Sequence, residues 1–281
     1  MRYVRFGNSQ LDVSRLGLDC HSLGVVQRER GWDPISYDGQ VFAIRTVHAA
    51  LDAGINILDT SPDAGGGRAE SLLGKALRGR RQGVLLSSTI SGGQDALNFK
   101  YSIVASMRRL RTDRIDIVYI RDTLFRCDEY RDQQYAELER LRARGDVGHV
   151  GLLVTRPTAA LKQIESGPFQ VAQLQCGNAD HGAASEVMEA CHKKGLGISV
   201  VKSLDPDALK RIVGALEPSR RARRVGECCF KYLLGDRRVH MINVGMRWEH
   251  EVAQNAMMFS NLDTDPELPG PATLTTRLGV A

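Results

Sequence analysis

Apolar residues recur along this chain in two alternating rhythms. Short runs that are apolar at nearly every position are separated by longer stretches in which apolar residues return every three or four positions. The runs are "RLGLD" (15–19), "INILD" (55–59), "GVLLSST" (83–89), "IDIVYIRD" (115–122), "GHVGLLVT" (148–155), "VAQLQCGN" (171–178), "GISVVKSL" (197–204) and "VHMINVG" (239–245). Between them lie stretches such as "QVFAIRTVHAALDAG" (40–54), where Val41, Ile44, Val47, Ala50 and Leu51 repeat at helical spacing. Strands apolar on both faces are buried on both, which predicts a parallel sheet covered by helices. Eight such units in roughly 250 residues suit a closed (β/α)8 barrel better than an open sheet. Ahead of them, "YVRFGNSQLDVS" reads as two short strands around Gly7, Asn8 and Ser9, an N-terminal β-hairpin. Residues 1–262 are therefore expected to form a single barrel, and the Pro-rich, aperiodic residues 263–281 a C-terminal tail.

Composition changes this picture little. With 42% hydrophobic and 25% charged residues, the chain has ample material for a core. The net charge of +5 gathers in "RRLRTDR" (108–114) and "SRRARR" (219–224), which lack interleaved aromatics and read as solvated helix faces rather than a nucleic-acid surface. No apolar run is long enough to span a membrane. The six cysteines form no CxxC pair and no zinc spacing, which suggests reduced thiols, and no leader follows Met1, so the expected compartment is the cytoplasm.

In such barrels chemistry gathers at the C-terminal ends of the strands. Here those ends carry Asp19, Cys20 and His21, then Asp59, Thr89, Arg121 and Asp122, Cys176 and Asn178, Lys202, and Gly245. Trp32, in the long first βα loop, either lines a pocket or folds back on the rim.

Four stretches resemble the aldo-keto reductase superfamily, in the order that family has them. They are "RFGNSQLDVSRLGL", "ALDAGINILDTSPDAGGGRAESLLGKALRGRR", "SMRRLRTDRIDIVYIRD" and "VGMRWEHEVAQN". The "DTSP…GGGRAE" wording is most similar to the bacterial sugar and aldose dehydrogenase-like branch. The resemblance implies hydride transfer between NADPH and a carbonyl, assisted by a tetrad of Asp, Tyr, Lys and His. Carried over by position, the Asp is Asp59, while Tyr falls on Ala64, Lys on Thr89 and His on Arg121. The pair that holds the nicotinamide carboxamide falls on Leu153 and Val154, and the stacking tyrosine on Cys176 or Gly177. Gly245, Arg247, Gln254 and Asn255 match the positions that grip the phosphate and adenine end.

Alanine has no proton to give and Thr89 has no charge, so the usual general acid is missing. A structural reading pairs Arg121 with Asp59, replacing the lost lysine. A functional reading has Arg121 clamp an anionic or carbonyl group while Asp59 or His21 moves protons. Around these three, Asp19, Cys20, Thr89, Asp122, Trp32, Cys176, Asn178 and Lys202 are expected to contact a substrate. The leading expectation is a repurposed non-redox enzyme doing acid–base chemistry (isomerisation, elimination or cyclisation) on a small polar metabolite, with no cofactor and no metal required. Two alternatives stand beside it: an inactive NADP(H)-binding or scaffold protein, and an NADPH-dependent carbonyl reductase with an unorthodox proton donor.

Overall fold

The computed structural model describes residues 1–90, 96–122, 128–175, 181–201 and 230–261. Strands β1 (Tyr3–Arg5) and β2 (Asp12–Ser14) pair antiparallel, with Tyr3 opposite Ser14, as the hairpin reading expects. The eight apolar runs become β3 (Leu16–Asp19), β4 (Ile57–Thr60), β5 (Leu85–Ile90), β6 (Ile115–Arg121), β7 (Val147–Val154), β8 (Val171–Gln175), β9 (Gly197–Val201) and β10 (Met241–Gly245). They close into one parallel barrel in chain order, with β10 joining β9 to β3. The expected continuations of β8 to residue 178 and β9 to residue 204, and the tail 263–281, lie outside the described residues.

The helices are α1 (His21–Gly24), α2 (Tyr37–Asp52), α3 (Arg68–Ala76), α4 (Ala96–Leu110), α5 (Asp128–Arg144), α6 (Pro157–Ser166), α7 (His181–Lys193) and α8 (Glu249–Asn261). α2 begins three residues before the periodic stretch because the Ser36 hydroxyl accepts the Gly39 amide at 3.0 Å, an N-cap. Its buried stripe runs through Ala43, Val47 and Ala50 against the outside of the barrel.

Among the described residues there are two apolar clusters. The larger lies between strands and helices; the smaller fills the barrel from within, with Ile57, Ile117, Tyr119, Leu153, Val171, Val201 and Met241. The hairpin closes the floor by adding Phe6 and Val13 to that inner cluster. Gly7, at φ +55°, makes this possible, since a Cβ there would sit 2.4 Å from the Gly197 nitrogen. Towards the C-terminal ends of the strands the filling turns polar, with buried Asp59, Ser87, Gln173, Ser199 and Asn243. Alternation along each strand puts these side chains inside the barrel, and this change of chemistry marks the mouth.

Candidate active site

Asp59, the last residue but one of β4, lies inside the barrel and is 6% exposed. One carboxylate oxygen accepts the Ser87 hydroxyl at 2.5 Å and the other accepts the Gln173 amide at 2.9 Å. Ser87 stands beside Asp59 in the strand register, whereas Gln173 reaches in from β8. Burial, chiefly, and the charge of Asp19 together raise the Asp59 pKa from 3.8 to about 7, against the hydrogen bonds from Ser87, Gln173 and the Thr60 amide. No lysine or arginine pairs with it among the described residues.

That last fact corrects one expectation. Asp59 and Arg121 form no ion pair: the carboxylate is satisfied by two neutral donors instead. Arg121 is half-buried at the end of β6, and its Nε is enclosed without a hydrogen-bond partner among the described residues. Thr89 is buried at the end of β5. The neighbouring Ser88 faces outward and donates to Glu70 at 3.0 Å, and Glu70 also accepts from Arg109 at 2.6 Å, which ties β5 to α3 and α4. Ala64 is fully buried in the turn before α3.

Several predicted site residues have other work. The Cys20 side chain lies in the outer core, donating to the Leu18 carbonyl at 3.6 Å, and burial holds its thiol pKa well above the ordinary value. It is therefore no thiolate and no substrate contact. Trp32 is also fully buried, packed edge-on against Trp248 with ring centroids 5.0 Å apart, so it folds back on the rim. Asp122 is 3% exposed and binds the Thr155 amide (2.8 Å), the Thr155 hydroxyl (2.6 Å) and the Arg156 amide (2.7 Å). It fastens the turn into α6. Asp19 is half-buried and accepts the His21 amide at 2.9 Å, which leaves His21 exposed at the start of α1. Cys176, Asn178 and Lys202 lie outside the described residues.

At the other edge of the mouth, Gly245 ends β10 exposed, next to Asp19 in register. Half-buried Arg247 follows; its amide donates to Glu251 at 2.6 Å, its carbonyl accepts from Thr46 at 2.6 Å, and its Nε has no partner. Burial lowers the Arg247 pKa and the charge of Arg30 lowers it further, against the opposing carboxylates of Glu251, Asp19 and Glu29. A half-buried guanidinium whose Nε has no partner among the described residues could hold a phosphate-bearing group. Asn255 donates to the Glu251 carbonyl at 2.8 Å, and Gln254 is exposed on α8.

Sequence reasoning missed Ser87, Gln173 and Arg30. The first two carried a legible signal, being polar residues at inward-facing positions of apolar strands. Arg30 carried none.

A family model described as the Aldo/keto reductase family matches residues 22–212. The chain is similar to L-galactose dehydrogenase of Arabidopsis thaliana, 23% identical over 288 residues, covering 92% of this chain and 88% of that protein. Among solved structures it is similar to the holo form of aldo-keto reductase AKR11C1 from Bacillus halodurans. The TM-score there is 0.79 at 22% identity, over 100% of this chain and 96% of that one. It is also similar to an aldo-keto reductase from Klebsiella pneumoniae in complex with NADPH, with a TM-score of 0.75 at 20% identity, over 98% and 94%. Barrels of this architecture solved with NADPH overturn the expectation that no cofactor is required, and they point to a nucleotide. A match over well over half its length, carried by a closed barrel floored with a hairpin, places this chain in the aldo/keto reductase family.

Proposed function

We propose that this chain is an NADP(H)-dependent oxidoreductase of small polar carbonyl compounds in which Asp59 exchanges the proton. The observation that carries this reading is the carboxyl of Asp59, buried at the barrel mouth and pushed up to about 7. A general acid works best when its pKa lies near the operating pH. NADPH, when bound, would supply the hydride that the carbonyl carbon needs. Asp59 supplies the proton for the carbonyl oxygen, so that an alcohol leaves, and the carboxylate regains its proton from water.

Ser87 suits both states of Asp59. Its hydroxyl donates to the carboxylate and turns to accept from the carboxylic acid, while Gln173 holds the second oxygen in either state. Tyr119, whose hydroxyl lies near Asp59 and Ser199, does not compete, because burial raises its pKa far above neutrality. Arg247 and Arg30 supply charge for the phosphate end of the nucleotide.

A second reading rests on Ala64 and Thr89, which offer neither a phenol nor an ammonium to assist hydride transfer. It is proton transfer at Asp59 on a small polar metabolite without net oxidation or reduction. The two are separated by titrating NADPH, following its fluorescence, and then adding a panel of carbonyl compounds. The proposal expects saturable binding and consumption of the reduced nucleotide. Binding without consumption across the panel favours the second reading, and absence of binding overturns the proposal.

A further inference from the structure

We propose that Arg121 anchors a carboxylate of the substrate, so that the compounds accepted at this mouth are short-chain oxo or hydroxy acids rather than neutral sugars. This rests on the oxidoreductase reading above and deepens it. Tyr119 on β6 points into the barrel, since its ring occupies the space a Cβ at Gly151 would need, 2.3 Å away. Side chains alternate along a strand, so Arg121, two residues on, points the same way and one layer nearer the opening. In the register it stands beside Leu153, which is buried and apolar and offers it nothing polar.

Neither Asp59 nor Asp122 serves as a partner of Arg121. Asp59 is held by Ser87 and Gln173, and Asp122, the next residue, by Thr155 and Arg156. Among the described residues Arg121 has no hydrogen-bond or ion-pair partner, and its Nε is enclosed without one. Three other half-buried guanidiniums meet carboxylates: Arg81 meets Asp116, Arg109 meets Glu70 and Arg238 meets Asp236. A guanidinium drawn partly out of water without a counter-charge is costly, and a carboxylate is the group whose geometry fits its fork.

Charge also fixes the direction of binding. Asp19 and Asp59 stand side by side on β3 and β4, and neither offers an anionic group a positive charge. It is drawn to Arg121 on β6, which leaves a nearby carbonyl towards Asp59. Neighbouring strands are about 4.8 Å apart, so β4 and β6 bracket a short molecule.

The test is calorimetric titration of the NADP⁺-saturated protein with glyoxylate, pyruvate and 2-oxobutyrate, and with the methyl esters of the same acids. The expected result is at least one acid bound about tenfold or more tighter than its ester. Arg121→Gln is expected to abolish that preference and Arg121→Lys to keep part of it, with NADP⁺ affinity and melting temperature unchanged in both. Equal binding of acids and esters, or an acid preference that survives Arg121→Gln, overturns the proposal. If NADP⁺ itself does not bind, the oxidoreductase reading fails, and the acid–ester comparison on the unloaded protein still decides the role of Arg121.

Discussion

Replacing Asp59 by asparagine keeps the size of the side chain and removes its charge. The hydrogen bonds have a way to survive: the new carbonyl accepts from Ser87, and the Gln173 amide turns over to accept from the new NH₂. In the folded chain the carboxyl holds its proton to about 7, against 3.8 ordinarily, chiefly because burial disfavours the charged form. Between these values the folded state binds a proton that the unfolded chain has released. The associated stability is therefore complete below 3.8 and is lost as pH rises through about 7. The gap corresponds to about 4 kcal/mol. Asparagine does not titrate, so the stability of Asp59→Asn relative to the parent should rise by about that amount between pH ~4 and pH ~8. Urea denaturation of both proteins across this range measures it. A difference that stays constant with pH would mean that Asp59 ionises normally, and the proton-transfer role would fall with it.

Arg247→Gln is expected to weaken NADPH binding by about tenfold and to flatten its salt dependence, measured by fluorescence titration at two ionic strengths. Asp122→Ala should cost about 1–3 kcal/mol of stability in urea denaturation by freeing the Thr155 and Arg156 amides, with unchanged nucleotide affinity. Cys20 and Cys191 are both buried, with thiol pKa values raised by that burial. Their peptides should stay unmodified when the folded protein is alkylated and become modified in denaturant, as read by mass spectrometry.

The architecture was legible because strand and helix leave different periods in a sequence. Each apolar run that closes the barrel stood out from its flanking helices, and the hairpin was marked by its glycine turn. The ends of elements were less legible. Ser36 sets the start of α2 through a side-chain bond that periodicity does not register. For the site, Asp59 was legible as a strand-end acid, but its partners were not, because Gln173 lies 114 residues away and meets it only when the barrel closes. The same limit applies to Trp32 and Cys20: a strand-end or loop position does not say which way a side chain turns, and both turn into the core. The pairing of Arg121 with Asp59 followed from charge alone, and two neutral donors met the carboxylate instead.

The most direct test of Asp59 as the proton-exchanging group is the pH dependence of carbonyl reduction with saturating NADPH. A carboxylic acid that must be protonated to donate loses activity as it ionises. The rate should therefore fall with an apparent pKa near 7 and should be reduced about 100-fold or more, with no such inflection, in Asp59→Asn. A rate that stays level from pH ~6 to pH ~8, or that survives the substitution, would contradict the account.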